Sequence, residues 1–232
     1  MKIKHGMILA AGHGKRLLPL TLSKPKPLLK IGNKNLLERA ITLLLSHGVN
    51  EIVINVHHLS HQIEKYISTF KSTANISISD EKDLLLDTGG GIKEATKKFE
   101  DNPFFVVNPD TLWSSNYSEE IKSLEKIYLM DKKPCLLLVN KKLSLDKSFK
   151  GDFNLKDKIV LRNIENDYIF TGLQIINRNN INFIEKKVFS MNEVWNKLLN
   201  ENNLCGLESN QKFYHLNTEE MYKKISELNI TD

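Results

Sequence analysis

Apolar runs and amphipathic segments alternate along the first half of the sequence. Short apolar or β-branched runs predict buried strands, and apolar residues three and four positions apart predict helices. The predicted elements are a strand at 7–11, a helix at 35–47, a strand at 51–56, a helix at 58–70 and a strand at 75–79. This alternation predicts a mostly parallel sheet that is covered by helices on both faces.

The second half continues the same pattern and then changes character. Strands are predicted at 103–107 and 135–140, and helices at 92–99, 116–130 and 191–202. The segments 158–164 and 168–176 are shorter strand candidates with turn residues between them, which predicts a hairpin-rich elaboration. Three glycines at 89–91 precede the predicted helix at 92–99, and we expect them to form a loop.

Composition restricts the class of protein. At 232 residues the chain is long enough for a sizeable core, and we expect one domain over 1–232. No apolar run reaches the roughly 18 residues that would span a bilayer, so no membrane partner is predicted. Cys135 and Cys205 are the only cysteines, which favours a reducing, cytoplasmic location. The net charge of +5 suits anionic substrates, but no basic stripe interleaved with aromatics indicates nucleic acid.

The candidate chemistry begins directly after the first predicted strand. Glycine lets the backbone approach a bulky anion, and fixed cations beside backbone N–H groups make a phosphate cradle. A Walker loop is excluded by its missing Gly-Lys-Ser/Thr ending, and Leu17 stands where a dinucleotide fingerprint needs its third glycine. The residues instead form the pattern Gly12-x-Gly14-x-Arg16-x-x-Pro19-Leu20-Thr21-x-x-x-Pro25-Lys26.

This pattern resembles the signature of the sugar-1-phosphate nucleotidyltransferases. The resemblance implies a Rossmann-like three-layer α/β/α fold with a mostly parallel mixed sheet and a small hairpin-rich, sugar-binding elaboration. It also implies a nucleotide-binding half at about 1–112 and a sugar-phosphate-binding half at about 113–232. A nucleoside triphosphate and a sugar 1-phosphate would react to give a nucleotide-sugar and pyrophosphate. A monomer or small homo-oligomer is expected.

The resemblance assigns roles to residues on the nucleotide side. Arg16 would bind the leaving pyrophosphate, Lys26 would reach the α-phosphate or the sugar phosphate, and the glycines at 89–91 would approach the base or ribose. These cations and Asp110 are the expected catalytic residues. The full expected nucleotide-binding set is Leu9, Ala10, Ala11, Gly12, Gly14, Lys15, Arg16, Lys26, Thr88, Gly89 and Gly90.

The metal and sugar assignments rest on the second half of the resemblance. Asp110 follows the strand at 103–107 and would hold Mg²⁺, because a carboxylate at a strand end suits that ion. His215 stands where relatives have a second metal carboxylate, so Mn²⁺ is an alternative ion. Pro109 and Asn217 replace glycines of the family pattern. The expected sugar-binding residues are Asn108, Asp152, Thr171 and Gly172.

Within the family, the pattern is nearest to members that transfer uridylyl groups to N-acetylmuramate 1-phosphate in cell-wall recycling. The matching elements are Asp-Thr-Gly-Gly-Gly-Ile, Val-Asn-x-Asp-x-x-Trp and Gly-Asp-Phe. Mannose 1-phosphate guanylyltransferase and glucose 1-phosphate thymidylyltransferase remain alternatives. A nucleotide-sensing relative with weak catalysis is an alternative of another class, suggested by His215 and Asn217.

Overall fold

The computed structural model describes residues 2–228. The strands of these residues are β1 (His5–Leu9), β2 (Lys30–Ile31), β3 (Lys34–Asn35), β4 (Glu51–Val56), β5 (Asn75–Asp80), β6 (Phe104–Val107), β7 (Cys135–Asn140), β8 (Asn154–Lys156), β9 (Ile159–Leu161), β10 (Tyr168–Ile176) and β11 (Cys205–Ser209). The α-helices of the same residues are α1 (Leu36–His47), α2 (Ser60–Thr69), α3 (Asp87–Ala95), α4 (Ser118–Asp131), α5 (Met191–Asn200) and α6 (Glu219–Glu227).

A nine-stranded sheet organises the described part of the chain, in the order β5-β4-β1-β6-β10-β7-β11-β9-β8. β1 lies between β4 and β6 and is parallel to both. β9 and β10 are antiparallel to their neighbours, whereas the other strands of the sheet share one direction. The predicted mixed, mostly parallel sheet is therefore confirmed.

Successive residues of the central strands face two different hydrophobic clusters, because side chains alternate across a strand. Ile8, on one face, packs in the cluster that contains apolar residues of α1, α2 and α4. Met7, on the other face, packs in the cluster that contains residues of α3 and α5. These two clusters make the helix–sheet–helix layering that the alternating pattern predicts.

The boundaries of α1 follow from its caps. The side chain of Asn35 accepts a hydrogen bond from the N–H of Glu38, which satisfies one of the free donors of the first turn. Gly48 ends the helix with φ 89°, a left-handed conformation that glycine adopts without strain. The helix predicted at 35–47 is confirmed.

Residues 168–176 differ from the prediction of a peripheral hairpin element. They form β10, which pairs with β6 on one side and β7 on the other, in the interior of the sheet. The short β8–β9 hairpin lies at one edge of the sheet, and β5 forms the other. The sequence pattern could not distinguish the two placements, because the partners of β10 are distant along the chain.

The three glycines also differ from the predicted loop, because they lie inside α3. A Cβ on Gly89 would lie 2.4 Å from the ring of Phe189, and a Cβ on Gly90 would lie 2.1 Å from the carbonyl oxygen of Lys187. The N–H groups of both glycines donate to the carbonyl of Phe189. Close backbone approach is therefore the reason for Gly89 and Gly90, but the approaching group is the protein's own segment 187–189.

A glycine-to-alanine pair tests this packing. We expect Gly90→Ala to destabilise the protein by about 1–3 kcal/mol, because backbone atoms cannot move aside as a flexible side chain can. The melting temperature should fall by about 2–4 °C per kcal/mol. Gly12→Ala is the control, since no heavy atom lies within 4 Å of its added Cβ. Equal melting temperatures for the two variants would contradict the packing role.

Candidate active site

A cavity of about 540 Å³ opens beyond the carboxyl ends of β1, β4 and β6. Ligands of open α/β sheets bind at this edge. Its wall includes backbone and side chains of the loop after β1, the polar side chains behind that loop, and the segment after β6. The lining residues are Leu9, Ala10, Ala11, Gly12, Gly14, Lys15, Arg16, Leu17, Lys26, Pro27, Asn55, Glu81, Leu85, Asp87, Thr88, Asn108, Pro109, Asp110, Val188 and Asn217.

Gly12 and Gly14 of the signature are explained by different physical requirements. Gly14 has φ +65°, and a Cβ there would lie 2.8 Å from the Thr21 side chain and 3.2 Å from that of Lys26. The carbonyl of Gly14 accepts hydrogen bonds from the Thr21 hydroxyl and the Leu17 N–H. Gly12 instead has open space where its Cβ would be. The first glycine leaves room for a ligand, and the second lets the loop turn.

Lys15 and Arg16 are exposed and lie in the short helical turn Lys15–Leu17 on the cavity wall. Among residues 2–228, no hydrogen bond or ion pair holds the Arg16 guanidinium. A guanidinium presents several N–H donors in a planar fork that matches phosphate oxygens. The loop therefore offers backbone and free cationic donors to an anion at the mouth of the cavity.

A second part of the cavity lining is built round the carboxylate of Asp110. Lys26 Nζ lies 2.6 Å from Asp110 Oδ2, and His215 Nε2 lies 3.1 Å from the same oxygen. Burial would raise the pKa of Asp110, but the charge of Lys26 and the contact with His215 outweigh it. Together they hold the pKa of Asp110 well below its usual range. Asp110 is therefore an anion at neutral pH.

The second oxygen of that carboxylate, Asp110 Oδ1, is buried and has no hydrogen-bond partner in the described part of the chain. An ionised oxygen without a donor is costly to bury, and a hard cation would satisfy it. Within residues 2–228 no group of three or more His, Cys, Asp or Glu side chains is arranged round a metal position. The donor set fits Mg²⁺, which binds through one or two carboxylates together with substrate phosphates.

The loop after β1, residues 10–16, is called the phosphate loop below, after its predicted ligand. Two buried polar residues behind it were not singled out by the sequence patterns. Asn55 Oδ1 accepts the N–H of Ala10 at 2.8 Å, and Asn55 Nδ2 donates to Glu81 Oε1 at 2.7 Å. Glu81 Oε2 accepts the N–H of Leu86 at 2.9 Å. A Cβ on Gly91 would lie within 2.8 Å of both polar side chains, so the third glycine of α3 makes room for this pair.

Comparison with known proteins agrees with this geometry. Residues 5–129, more than half of the chain, match the family described as nucleotidyl transferase. The chain belongs to the nucleotidyl transferase family. The prediction of an enzyme of the sugar-1-phosphate nucleotidyltransferase type is confirmed, and so is the predicted fold.

Individual relatives of this nucleotidyltransferase differ in how much they share. The N-acetylmuramate alpha-1-phosphate uridylyltransferase of Caulobacter vibrioides is 28% identical over 92% of this chain and 91% of its own length. The mannose-1-phosphate guanyltransferase of Gibberella zeae is 40% identical, but over 46% of this chain and 30% of its own length. A UDP-glucose pyrophosphorylase structure with UDP-glucose superposes with a TM-score of 0.81 at 16% identity, covering 97% of this chain and 98% of its own.

The nucleotidyltransferase cavity contains most of the predicted nucleotide-binding residues, but Gly89 and Gly90 do not line it. Thr88 does line it, and its hydroxyl accepts the N–H of Met191.

Among the helices of residues 2–228, none has the length and apolar character that a membrane span requires.

The predicted sugar-binding residues are less close together. Asn108 lines the cavity, whereas the Thr171 hydroxyl donates to the Leu137 carbonyl inside the sheet. Gly172 has φ +93° and lies against the side chain of Asn108, whose N–H donates to the Gly172 carbonyl. Asp152 accepts the N–H of Phe170 at 2.9 Å and does not line the cavity. The sugar-binding roles of these residues stay predictions.

The polar pair behind the phosphate loop gives a test of stability. Asn55→Ala would leave the buried N–H of Ala10 without its acceptor and one Glu81 oxygen without its donor. An unsatisfied buried group costs about 1–3 kcal/mol, so we expect a loss of that size in the free energy of unfolding by urea. The control is Asn50→Ala at an exposed position, which should change stability by less than about 0.5 kcal/mol. Similar losses in both variants would show that the pair does not support the loop.

Proposed function

We propose that this nucleotidyltransferase joins UTP to N-acetylmuramate 1-phosphate, giving UDP-N-acetylmuramate and pyrophosphate. The observation that carries the reaction type is that one cavity is lined both by the phosphate loop with Arg16 and by the Lys26–Asp110 pair. Such a cavity suits two polyanions that must be brought together in line.

In the reaction, a phosphate oxygen of the sugar 1-phosphate attacks the α-phosphorus of the triphosphate. A new oxygen–phosphorus bond forms, the bond between the α-phosphorus and the β-bridging oxygen breaks, and pyrophosphate leaves. No protein nucleophile is needed, because the attacking phosphate is already an anion. The protein therefore acts by positioning and by neutralising charge as it develops.

Each cation of the cavity has a part in that charge balance. The Gly12–Gly14 backbone and Arg16 bind the pyrophosphate portion at the cavity mouth. Lys26 has three N–H donors, so it can keep its contact with Asp110 and also donate to the α-phosphate or sugar phosphate. Divalent-metal dependence is general in the family. A metal ion held by Asp110 Oδ1 would neutralise the phosphate oxygens that meet there.

The polar pair behind the loop favours a base with an N–H donor on its pairing edge, and uracil is one of these. A carboxylate oxygen only accepts hydrogen bonds, and Glu81 lines the cavity with both of its oxygens in use once. A remaining lone pair would accept the N3–H of uracil or thymine, or the N1–H of guanine. Cytosine has an acceptor at N3, so it cannot donate this hydrogen bond from the same ring position. This argument favours UTP, dTTP or GTP over CTP.

The choice of sugar rests on the relatives. The Caulobacter uridylyltransferase is matched along almost its whole length, whereas the Gibberella guanyltransferase is matched over less than a third. The compact chain is therefore more like the former. Mannose 1-phosphate guanylyltransferase and glucose 1-phosphate thymidylyltransferase activities are the alternatives that an assay must separate.

A substrate panel tests the proposal. Pyrophosphate release should require a triphosphate, a sugar 1-phosphate and a divalent cation together, with UTP and N-acetylmuramate 1-phosphate giving the highest kcat/KM. A tenfold advantage for GTP with mannose 1-phosphate would overturn the substrate while leaving the reaction. Nucleotide binding without turnover of any pair would instead favour a sensing role.

Substitution of the cations tests their roles in the same assay. We expect Lys26→Ala and Arg16→Ala each to lower kcat/KM by about 10²–10³, the scale of losing one preorganised charge contact. Lys24→Ala, an exposed lysine of the same loop, should retain wild-type kcat/KM. Melting curves confirm folding of the three variants. Near-normal turnover in Lys26→Ala would mean that the signature lysine supports only the fold.

A further inference from the structure

Asn217 combines burial with a polar atom that lacks a partner. Its side chain is 7% exposed and lines the same cavity as Asp110. Its Nδ2 donates to Asp146 Oδ2 at 2.8 Å, whereas its Oδ1 has no hydrogen-bond partner in the described residues. Asp146 accepts two further hydrogen bonds, from the N–H and hydroxyl of Ser148.

The orientation of the Asn217 amide is determined by Asp146. A carboxylate that accepts three hydrogen bonds must face the NH₂ group of the amide, so the carbonyl oxygen has to point the other way. Asp146 therefore acts as a positioning residue that directs Asn217 Oδ1 away from itself.

The segment that carries Asn217 is fixed against the segment that carries Asp110. Thr111 and His215 form an antiparallel bridge, and the N–H of Leu216 donates to the carbonyl of Asp110 at 2.8 Å. The N–H of Asn217 in turn donates to the carbonyl of His215 at 3.1 Å. Two buried oxygens without donors, Asp110 Oδ1 and Asn217 Oδ1, thus belong to two paired segments on one cavity wall.

The chemistry of these two oxygens restricts what can satisfy them. Both accept hydrogen bonds and neither can donate, so a phosphate oxygen would be repelled by both. A hard divalent cation binds carboxylate and amide oxygens alike. We propose that Asn217 Oδ1 is, together with Asp110 Oδ1, a ligand of the divalent cation, and that His215 positions Asp110 instead of binding the ion.

His215 has the contacts of a positioning residue. Its Nε2 lies 3.1 Å from Asp110 Oδ2, and its ring packs against those of Phe149 and Phe213, with centroids 5.6 and 5.8 Å away. His215 does not line the cavity, whereas Asn217 does. The amide oxygen two residues further along the chain thus takes over the part that the sequence pattern assigned to position 215.

The inference rests on the proposed function, because the cation is expected to bind with the nucleotide. The test is therefore the coupling between the two, measured by calorimetry with α,β-methylene-UTP in EDTA and in Mn²⁺. If the substrate panel selects another base, the matching α,β-methylene analogue is used. The wild-type protein should bind the analogue more tightly with Mn²⁺, and Asp110→Asn should remove this gain.

Asn217→Ala should reduce the gain about tenfold or more, while affinity for the analogue in EDTA stays within about threefold of wild type. His215→Gln, which can still donate to Asp110, should keep the gain, whereas His215→Ala should lower it. The paired exchange Asp146→Asn with Asn217→Asp keeps a hydrogen bond between the two side chains and presents a carboxylate oxygen to the cavity. It should restore the gain, because an oxygen again faces the ion, and the retained affinity of Asn217→Ala in EDTA shows that the single variant is folded.

Three results would overturn the inference. An undiminished Mn²⁺ gain in Asn217→Ala, with a raised KM for the sugar 1-phosphate, would assign the amide to a sugar hydroxyl. If His215→Gln lost the Mn²⁺ gain while Asn217→Ala kept it, His215 would be the ligand. A wild-type protein that binds the analogue without any Mn²⁺ gain would have no cation for Asn217 to hold. Failure to bind the analogue at all would instead contradict the proposed function.

Discussion

The arrangement of the cavity lining round Lys26 and His215 depends on the carboxylate of Asp110. Lys26, 84 positions earlier in the chain, and His215, near the other end, both contact one of its oxygens. An anion that is partly removed from water must be compensated, and here the two compensating groups come from segments far from Asp110 in the sequence. The pairing of 110–112 with 214–216 and the packing of the signature loop are therefore parts of one electrostatic arrangement.

The phosphate loop depends on a second buried group of polar atoms. Asn55 accepts a hydrogen bond from the N–H of Ala10, the first residue after β1, and donates one to Glu81. Glu81 in turn accepts the N–H of Leu86, directly before α3. α3 can lie close to Asn55 and Glu81 because Gly91 has no side chain at the point of contact. The position of the loop and the packing of α3 are thus coupled through one chain of hydrogen bonds.

Local features were predictable from the sequence, and features that depend on distant partners were not. The caps of α1, the strand at 135–140 and the glycine–cation signature follow from residues close together in the chain. The interior position of β10 does not, because it depends on pairing with β6 and β7. The glycines of α3 carried a correct signal for close approach, but only the fold identifies Phe189 and Lys187 as the neighbours. Asn55 gave a signal of its own, a polar residue inside an apolar strand.

The charges of the cavity explain why cations of two kinds are needed. Before substrates bind, Lys26 and Asp110 neutralise each other at 2.6 Å, so this wall carries little net charge toward a polyanion. Bringing two phosphate-bearing substrates against it adds several negative charges in a partly desolvated space, where Coulomb interactions are stronger than in water. Arg16 can neutralise only the phosphate charges that lie at the mouth of the cavity, because its side chain is exposed there. The remaining negative charge would be neutralised by a cation held at the proposed ligands, Asp110 Oδ1 and Asn217 Oδ1. A further fixed lysine at this place would instead be neutralised by Asp110.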